Sequence, residues 1–201
     1  MKRINQFDAV VCGAGHAGVE AALILNRFKI STALITIDPL AIGRMSCNPA
    51  IGGLAKGQIV KEIDVLGGIM GKATDYSALQ YKILNKSKGK SVWSPRAQVD
   101  KRTYEGFINK TIKKAKYITV LAGEIVDIVT DNGVVTAAIL RDGQTIGCST
   151  LILTCGTFLN GLVHVGQKKI RAGRMGENAA EGITESLLSL GFRSGRLKTG
   201  T

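Results

Sequence analysis

Three glycines, Gly13, Gly15 and Gly18, follow a short apolar run, Phe7-Asp8-Ala9-Val10-Val11-Cys12, and precede an Ala-, Leu- and Ile-rich stretch over residues 19–27. This order predicts strand, tight turn and helix, the setting in which a glycine triplet signals phosphate binding. The first glycine permits the turn, the second lets the backbone approach a pyrophosphate, and the third lets the helix pack closely on its strand. The helix N-terminus adds N–H groups and the positive end of its dipole. Gly13, Ala14, Gly15, His16, Ala17 and Gly18 are therefore the candidate cofactor-binding residues. Residues 31–37 supply a second strand, and Asp38 after it is the candidate acid for ribose hydroxyls. Pro39 beside it makes a turn role an equal alternative.

The second chemical candidate is a thiol. Cys12, Cys47, Cys148 and Cys155 show no disulfide-type or metal-type spacing, and no metal site is expected. Three of them sit in apolar, strand-like runs. Cys47 instead stands in a glycine-rich stretch with a possible helix start after Gly53, a setting that would depress a thiol pKa. The thiolate is the strong nucleophile, so Cys47 is the catalytic candidate; the alternative is a buried inert thiol. His16 reads as a packing residue at the turn, and His164, between Val163 and Val165, as a satisfied strand histidine.

These residues need a scaffold. Residues 1–40 read as a βαβ unit. Residues 43–100 form a glycine-rich segment without regular alternation, in which Ile59, Ile63 and Leu66 mark one helix with an apolar face at i, i+4 and i+7. Residues 102–116 read as a basic helix carrying Tyr104, Phe107, Ile108 and Ile112 at helical spacing. Four strand-like runs (118–121, 125–129, 134–140 and 145–148) then make an antiparallel meander, with turns at Asp131-Asn132-Gly133 and Arg141-Asp142-Gly143. A buried strand over 151–153 closes the 118–157 unit at Thr154-Cys155-Gly156-Thr157. The expected fold is α/β: a Rossmann-like FAD/NAD(P)-binding fold of the two-dinucleotide-binding flavoprotein type, with an inserted β-meander.

Charge adds a partner. Of 201 residues, 27 are Lys or Arg and 15 are Asp or Glu, a net charge of +12. Residues 81–116 carry eleven basic residues and two acidic ones, so most of the excess sits in one segment. Such concentration favours a polyanion, because contacts to phosphates release counterions. Lys86, Lys88, Lys90 and Arg96 are the candidate nucleic-acid-binding residues, RNA-binding if the partner is RNA; the alternative is a solvated face. A content of 45% apolar and 21% charged residues excludes a disordered tail. No apolar stretch is long enough to span a membrane, and the first residues resemble neither signal nor transit peptide, so a cytoplasmic address is expected.

Several blocks then resemble one family. Met45-Ser46-Cys47-Asn48-Pro49-Ala50-Ile51-Gly52-Gly53-Leu54-Ala55-Lys56-Gly57 is similar to the signature of the glucose-inhibited division protein A family, the tRNA uridine 5-carboxymethylaminomethyl modification enzymes. Glu62-Ile63-Asp64-Val65-Leu66-Gly67-Gly68, Leu84-Asn85-Lys86-Ser87-Lys88-Gly89 and Pro95-Arg96-Ala97-Gln98-Val99-Asp100 also match. So do Gly156-Thr157-Phe158-Leu159-Asn160-Gly161 and Gly195-Arg196-Leu197-Lys198-Thr199-Gly200-Thr201.

The resemblance implies an FAD enzyme that, with a GTPase partner, builds an aminomethyl or carboxymethylaminomethyl group on carbon 5 of a tRNA wobble uridine. It further implies methylenetetrahydrofolate as one-carbon donor, NADH as reductant, a homodimer, and a heterotetramer with the GTPase. By the same resemblance Ile125 and Ala180 join the FAD-binding residues, Ala180 standing where relatives carry a small hydroxyl residue. Cys47 matches a catalytic cysteine, whose thiolate would add to carbon 6 of uracil and make carbon 5 nucleophilic. The family is much longer, so residues 1–201 correspond to the N-terminal part of its FAD-binding domain, expected to be inactive alone. A folate- and FAD-dependent tRNA uridine methyltransferase is the alternative, and the block around Cys47 argues against it. A purely RNA-binding module would leave the glycine triplet without a purpose.

Overall fold

The computed structural model describes residues 5–45, 48–156, 159–172 and 180–197. Strand β1 (Asn5–Cys12), helix α1 (His16–Arg27) and strand β2 (Thr32–Thr36) form a βαβ unit in which Ala9 pairs with Thr32 and Cys12 with Ile35. Val10, Val11, Ala33 and Leu34 are all fully buried, so successive residues are covered on both faces. That is why these strands read as continuous apolar runs rather than alternating ones.

The basic helix is present as α4 (Lys101–Lys114), N-capped by the Asp100 carboxylate, which accepts from the Thr103 amide at 2.7 Å. Tyr104, Ile108 and Ile112 face inward and its lysines outward. Strand β6 (Ile118–Ala122) follows, and here the expected meander needs correction. β6 pairs in parallel with β2, from Thr32↔Ile118 to Thr36↔Ala122. A parallel pair requires a long crossover, and α4 provides it by returning the chain to the same end of the sheet.

The meander is β7 (Ile125–Asp131), β8 (Val134–Leu140) and the start of β9 (Thr145–Leu153). Asn132 (φ 48°) and Gly133 (φ 79°) make its first turn, both in the left-handed region that a two-residue hairpin turn demands. β9 is one strand, where the sequence suggested two short ones. Its first residues pair with β8 (Thr145↔Ile139), and the strand runs on in parallel beside β1 to Leu153↔Cys12. The polar Ser149 and Thr150 that look like a break do not interrupt it; the Ser149 hydroxyl donates to the Asp8 carbonyl at 2.8 Å. The sheet order is β6-β2-β1-β9-β8-β7.

The glycine-rich segment is also more regular than its composition suggests. It holds β3 (Ala50–Gly52), α2 (Lys56–Val65), α3 (Met70–Ser77), β4 (Ala78–Leu84) and β5 (Ser94–Val99). The strands form an antiparallel sheet of order β3-β5-β4. Pro95 is tolerated within β5 because β3 pairs only as far as Arg96. The apolar face expected on α2 is only partly covered: Ile63 is half-buried, whereas Ile59 is 53% and Leu66, at the helix end, 73% exposed. Gly57 is the buried residue instead, with the Pro95 carbonyl against the position a side chain would occupy.

Two cores sandwich the parallel strands. On one face Val11 and Leu34 pack with Val19 and Ala22 of α1, Tyr104, Ile108 and Ile112 of α4, and Ile51 and Val99 of the small sheet. On the other, Val10, Cys12 and Ile35 meet Ile125, Ala138 and Leu140 of the meander and Ile183 of α5 (Ile183–Ser189). A hairpin, β10 (Leu162–Val165) and β11 (Lys168–Arg171), completes the described chain. Among the described residues no helix is long and apolar enough to cross a membrane.

Candidate functional site

The parallel strands all end at one edge, and the loops there carry most of the candidate residues, as expected of a ligand crevice in an open α/β sheet. Gly13 continues β1 with φ 97°, and its N–H donates to the Ile35 carbonyl at 2.8 Å. A Cβ there would lie 2.5 Å from the Thr154 carbonyl oxygen, and one on Gly18 would lie 1.8 Å from the Gly13 carbonyl oxygen. The protein's own packing therefore demands glycine at both positions. Gly15 differs. It is extended (φ −70°, ψ −170°), a conformation open to any residue, and a Cβ on it would meet nothing within 4 Å. What its missing side chain keeps clear is space at the mouth of α1, whose first turn has no side-chain cap.

The other turn residues are held by neighbours. Ala14 is buried, and its carbonyl accepts from the Gly43 amide at 2.9 Å. Ala17 follows in the first turn of α1. His16 sits edge-on to Tyr104, ring centroids 5.6 Å apart at 84°. Tyr104 is 1% exposed, and burial together with the Glu20 charge holds its hydroxyl protonated.

Asp38 is committed to local structure. Its carboxylate accepts from the Leu40 amide at 2.9 Å, capping the turn Pro39–Ala41, and pairs with Arg44 at 3.2 Å. Of the two sequence readings, this geometry favours the turn.

Cys47 lies outside the described residues, but both flanks of it are anchored. Before it, the Met45 amide donates to the Glu105 carboxylate at 3.1 Å and Asn109 donates to the Ile42 carbonyl at 3.1 Å, so α4 holds the approach. After it, the Pro49 carbonyl accepts from the Val99 amide at 2.9 Å.

Ile125 and Ala180 are brought to one place. Ile125 begins β7 and is buried, and the preceding Gly123 donates to the Thr36 carbonyl at 2.9 Å. Ala180 bridges to Leu159. Between them stands a cluster that sequence reasoning missed: Arg141 grips the Glu124 carboxylate at 2.6 and 2.9 Å and donates to the Glu181 carbonyl at 3.1 Å. Glu124 in turn accepts from the Glu181 amide at 3.2 Å. The Arg141 guanidinium holds the Glu124 carboxyl below the usual carboxylate range. Beside this cluster opens a cleft of about 650 Å³ lined by Val126, Arg141, Asn160, Leu162, Glu181 and Arg196, among others; none of Gly13–Gly18 lines it.

Lys86, Lys88 and Lys90 are exposed together on the β4–β5 connection, where Trp93 donates to the Lys86 carbonyl at 3.3 Å. Arg96 stands apart, half-buried in β5 across from Lys82 and Gly52. Lys56 is near it, its ammonium 3.3 Å from the Ala50 carbonyl; burial and the Arg96 charge lower its pKa. His164 is in a strand as read, but exposed.

The comparisons with known proteins are concordant. The family model described as glucose inhibited division protein A matches residues 8–201. The tRNA uridine 5-carboxymethylaminomethyl modification enzyme MnmG of Chlorobium phaeobacteroides is 50% identical over 196 residues, covering 97% of this chain and 32% of that protein. The crystal structure of Aquifex aeolicus GidA superposes with a TM-score of 0.86 at 44% identity, covering 92% of this chain and 31% of that one. The GidA-related protein from Thermus thermophilus shares the fold, with a TM-score of 0.65 at 18% identity, over 93% of this chain and 69% of that one. The chain spans about a third of the length of the curated relatives it matches.

Proposed function

The chain belongs to the glucose inhibited division protein A family, and from that premise we propose that it forms the FAD-binding part of an enzyme that modifies the wobble uridine of tRNA. The observation that carries the cofactor is Gly15. The protein's own packing does not require a glycine there, yet a Cβ would project into open space at an uncapped helix N-terminus. In this reading the backbone of Gly13, Ala14, Gly15, His16, Ala17 and Gly18 and the mouth of α1 hold the pyrophosphate. The backbone at Ile125 and Ala180 flanks the adenine end. FAD, when bound, supplies two-electron redox chemistry.

The chain's own reactive group is the Cys47 thiolate, which adds to carbon 6 of the uracil and raises electron density at carbon 5. Lys86, Lys88, Lys90 and Arg96 hold tRNA phosphates. The one-carbon unit of methylenetetrahydrofolate, reducing equivalents from NADH, a GTPase partner and homodimerisation complete the proposal, with the cytoplasm as its setting.

The test is mass spectrometry of wobble nucleosides from cells lacking the full gene, complemented with that full gene as wild type or as Cys47→Ser. Wild type restores the 5-substituted uridine. Cys47→Ser leaves it unmodified while the purified variant keeps its flavin absorbance. Unmodified nucleosides after wild-type complementation would sink the assignment, and full activity of Cys47→Ser would remove the thiol from the chemistry.

A further inference from the structure

Two cysteines that the proposed chemistry does not use stand against each other. Cys12 ends β1 and pairs with Leu153; two residues further on, Cys155 returns to the same face. The Sγ atoms are 3.4 Å apart, and the Thr154 amide donates to the Cys12 carbonyl at 2.9 Å, so the backbone on both sides is tied. Both are free thiols; Cys12 is buried and Cys155 partly exposed. A disulfide needs about 2.05 Å between sulfurs, so side-chain rotation would have to close only about 1.4 Å.

We propose that Cys12 and Cys155 are a reversible dithiol–disulfide pair oxidised by a small hydroperoxide. The exposed member, Cys155, reacts first. Its thiolate attacks one peroxide oxygen, the O–O bond breaks, and the departing hydroxide leaves as water after taking a proton, giving the Cys155 sulfenic acid. The Cys12 sulfur then attacks the Cys155 sulfur. Its proton goes to the departing hydroxyl, a second water leaves, and the S–S bond forms. In balance, two thiols lose two electrons and two protons, and one hydrogen peroxide becomes two waters. The order of attack agrees with the proton distribution: Cys12 keeps its proton because of its hydrogen bond to Cys155, its burial and nearby negative charge, and that same bond stabilises the Cys155 thiolate.

The location gives the bond a consequence. Cys12 directly precedes Gly13, so the disulfide would cross-link the glycine turn to the end of β9. Cys148 is a built-in control: it is 2% exposed, and burial pushes its thiol pKa up.

The experiment uses the reduced, purified protein, exposed to a few-fold excess of hydrogen peroxide, alkylated with N-ethylmaleimide, digested with trypsin and sequenced by tandem mass spectrometry. The expected product links the Cys12 and Cys155 peptides, is lighter by two hydrogens than their sum, and disappears on treatment with dithiothreitol. Cys148 shares the tryptic peptide of Cys155, so fragment ions and a parallel Cys148→Ser sample, in which the link must persist, assign the sulfur. Recovery of Cys12 and Cys155 both alkylated would overturn the proposal. So would a Cys155 sulfinic acid without a link, or a link from Cys12 to any other cysteine. The readout is covalent and owes nothing to flavin occupancy, so it stands or falls separately from the proposed function.

Discussion

The Thr154 hydroxyl lies 3.1 Å from the Gly13 carbonyl oxygen and donates to the Cys12 carbonyl at 2.8 Å. A residue at the end of β9 thus fastens the turn at the end of β1, 141 positions earlier. The glycine turn is built by two strands, and its three glycines answer to different neighbours.

That difference is measurable. Gly18→Ala places a Cβ against backbone that cannot move aside, and overpacking of this kind costs ~1–3 kcal/mol. Gly15→Ala meets no atom of the protein, so stability should change by less than ~0.5 kcal/mol. Urea denaturation of the flavin-free proteins should separate the two. Flavin absorbance should then show reduced occupancy in Gly15→Ala despite its intact stability. Wild-type occupancy in that variant would mean the space at Gly15 serves no cofactor.

The Glu20 carboxylate accepts from the Met70 amide at 2.7 Å and the Ile69 amide at 3.0 Å, capping α3, which has no side-chain cap of its own. Glu20→Ala should cost ~0.5–2 kcal/mol, the usual penalty for losing a helix cap. Glu20→Gln keeps one acceptor oxygen and should recover part of that loss. Equal losses in the two variants, read from denaturant midpoints, would show that charge rather than capping matters.

Glu124 predicts a pH signature. Its carboxyl is held low by the Arg141 guanidinium. A depressed folded-state pKa contributes stability above the unfolded value, about 4.3, and loses it as pH falls through the folded value. The stability gap between wild type and Glu124→Gln should therefore be flat from pH 7 to about 5 and narrow below about 4. A gap that widens on acidification would contradict the pairing.

Lys86, Lys88 and Lys90 project from one connection. If they meet tRNA phosphates, their replacement by Gln should weaken binding alike for every cognate tRNA. The slope of log K against log salt should fall by about 0.7–0.9 for each phosphate no longer neutralised. An unchanged slope in filter binding would leave them on a solvated face.

Features written in near neighbours were legible in the sequence. The glycine triplet, the runs of β1 and β2, the inward stripe Tyr104, Ile108 and Ile112, and the turn at Asn132-Gly133 follow from periods of 3.6 or 2 and from residues that tolerate positive φ. So does the concentration of charge near the β4–β5 connection, since composition needs no partner.

Only the tertiary structure decided the rest, because pairing between distant segments leaves no local trace. β6 joins β2 rather than the meander because α4 returns it to the parallel edge. β9 lies between β8 and β1, antiparallel to one and parallel to the other, so Ser149 and Thr150 look like a break in one dimension and lie within a strand in three. α2 leaves Ile59 exposed while its Gly57 is buried against the Pro95 carbonyl, a contact with a segment nearly forty residues away. Glu124, Arg141 and Glu181, like Cys12 and Cys155, meet across long sequence separations. The residue types alone set what chemistry each can do; which of them touch was settled by the strand order.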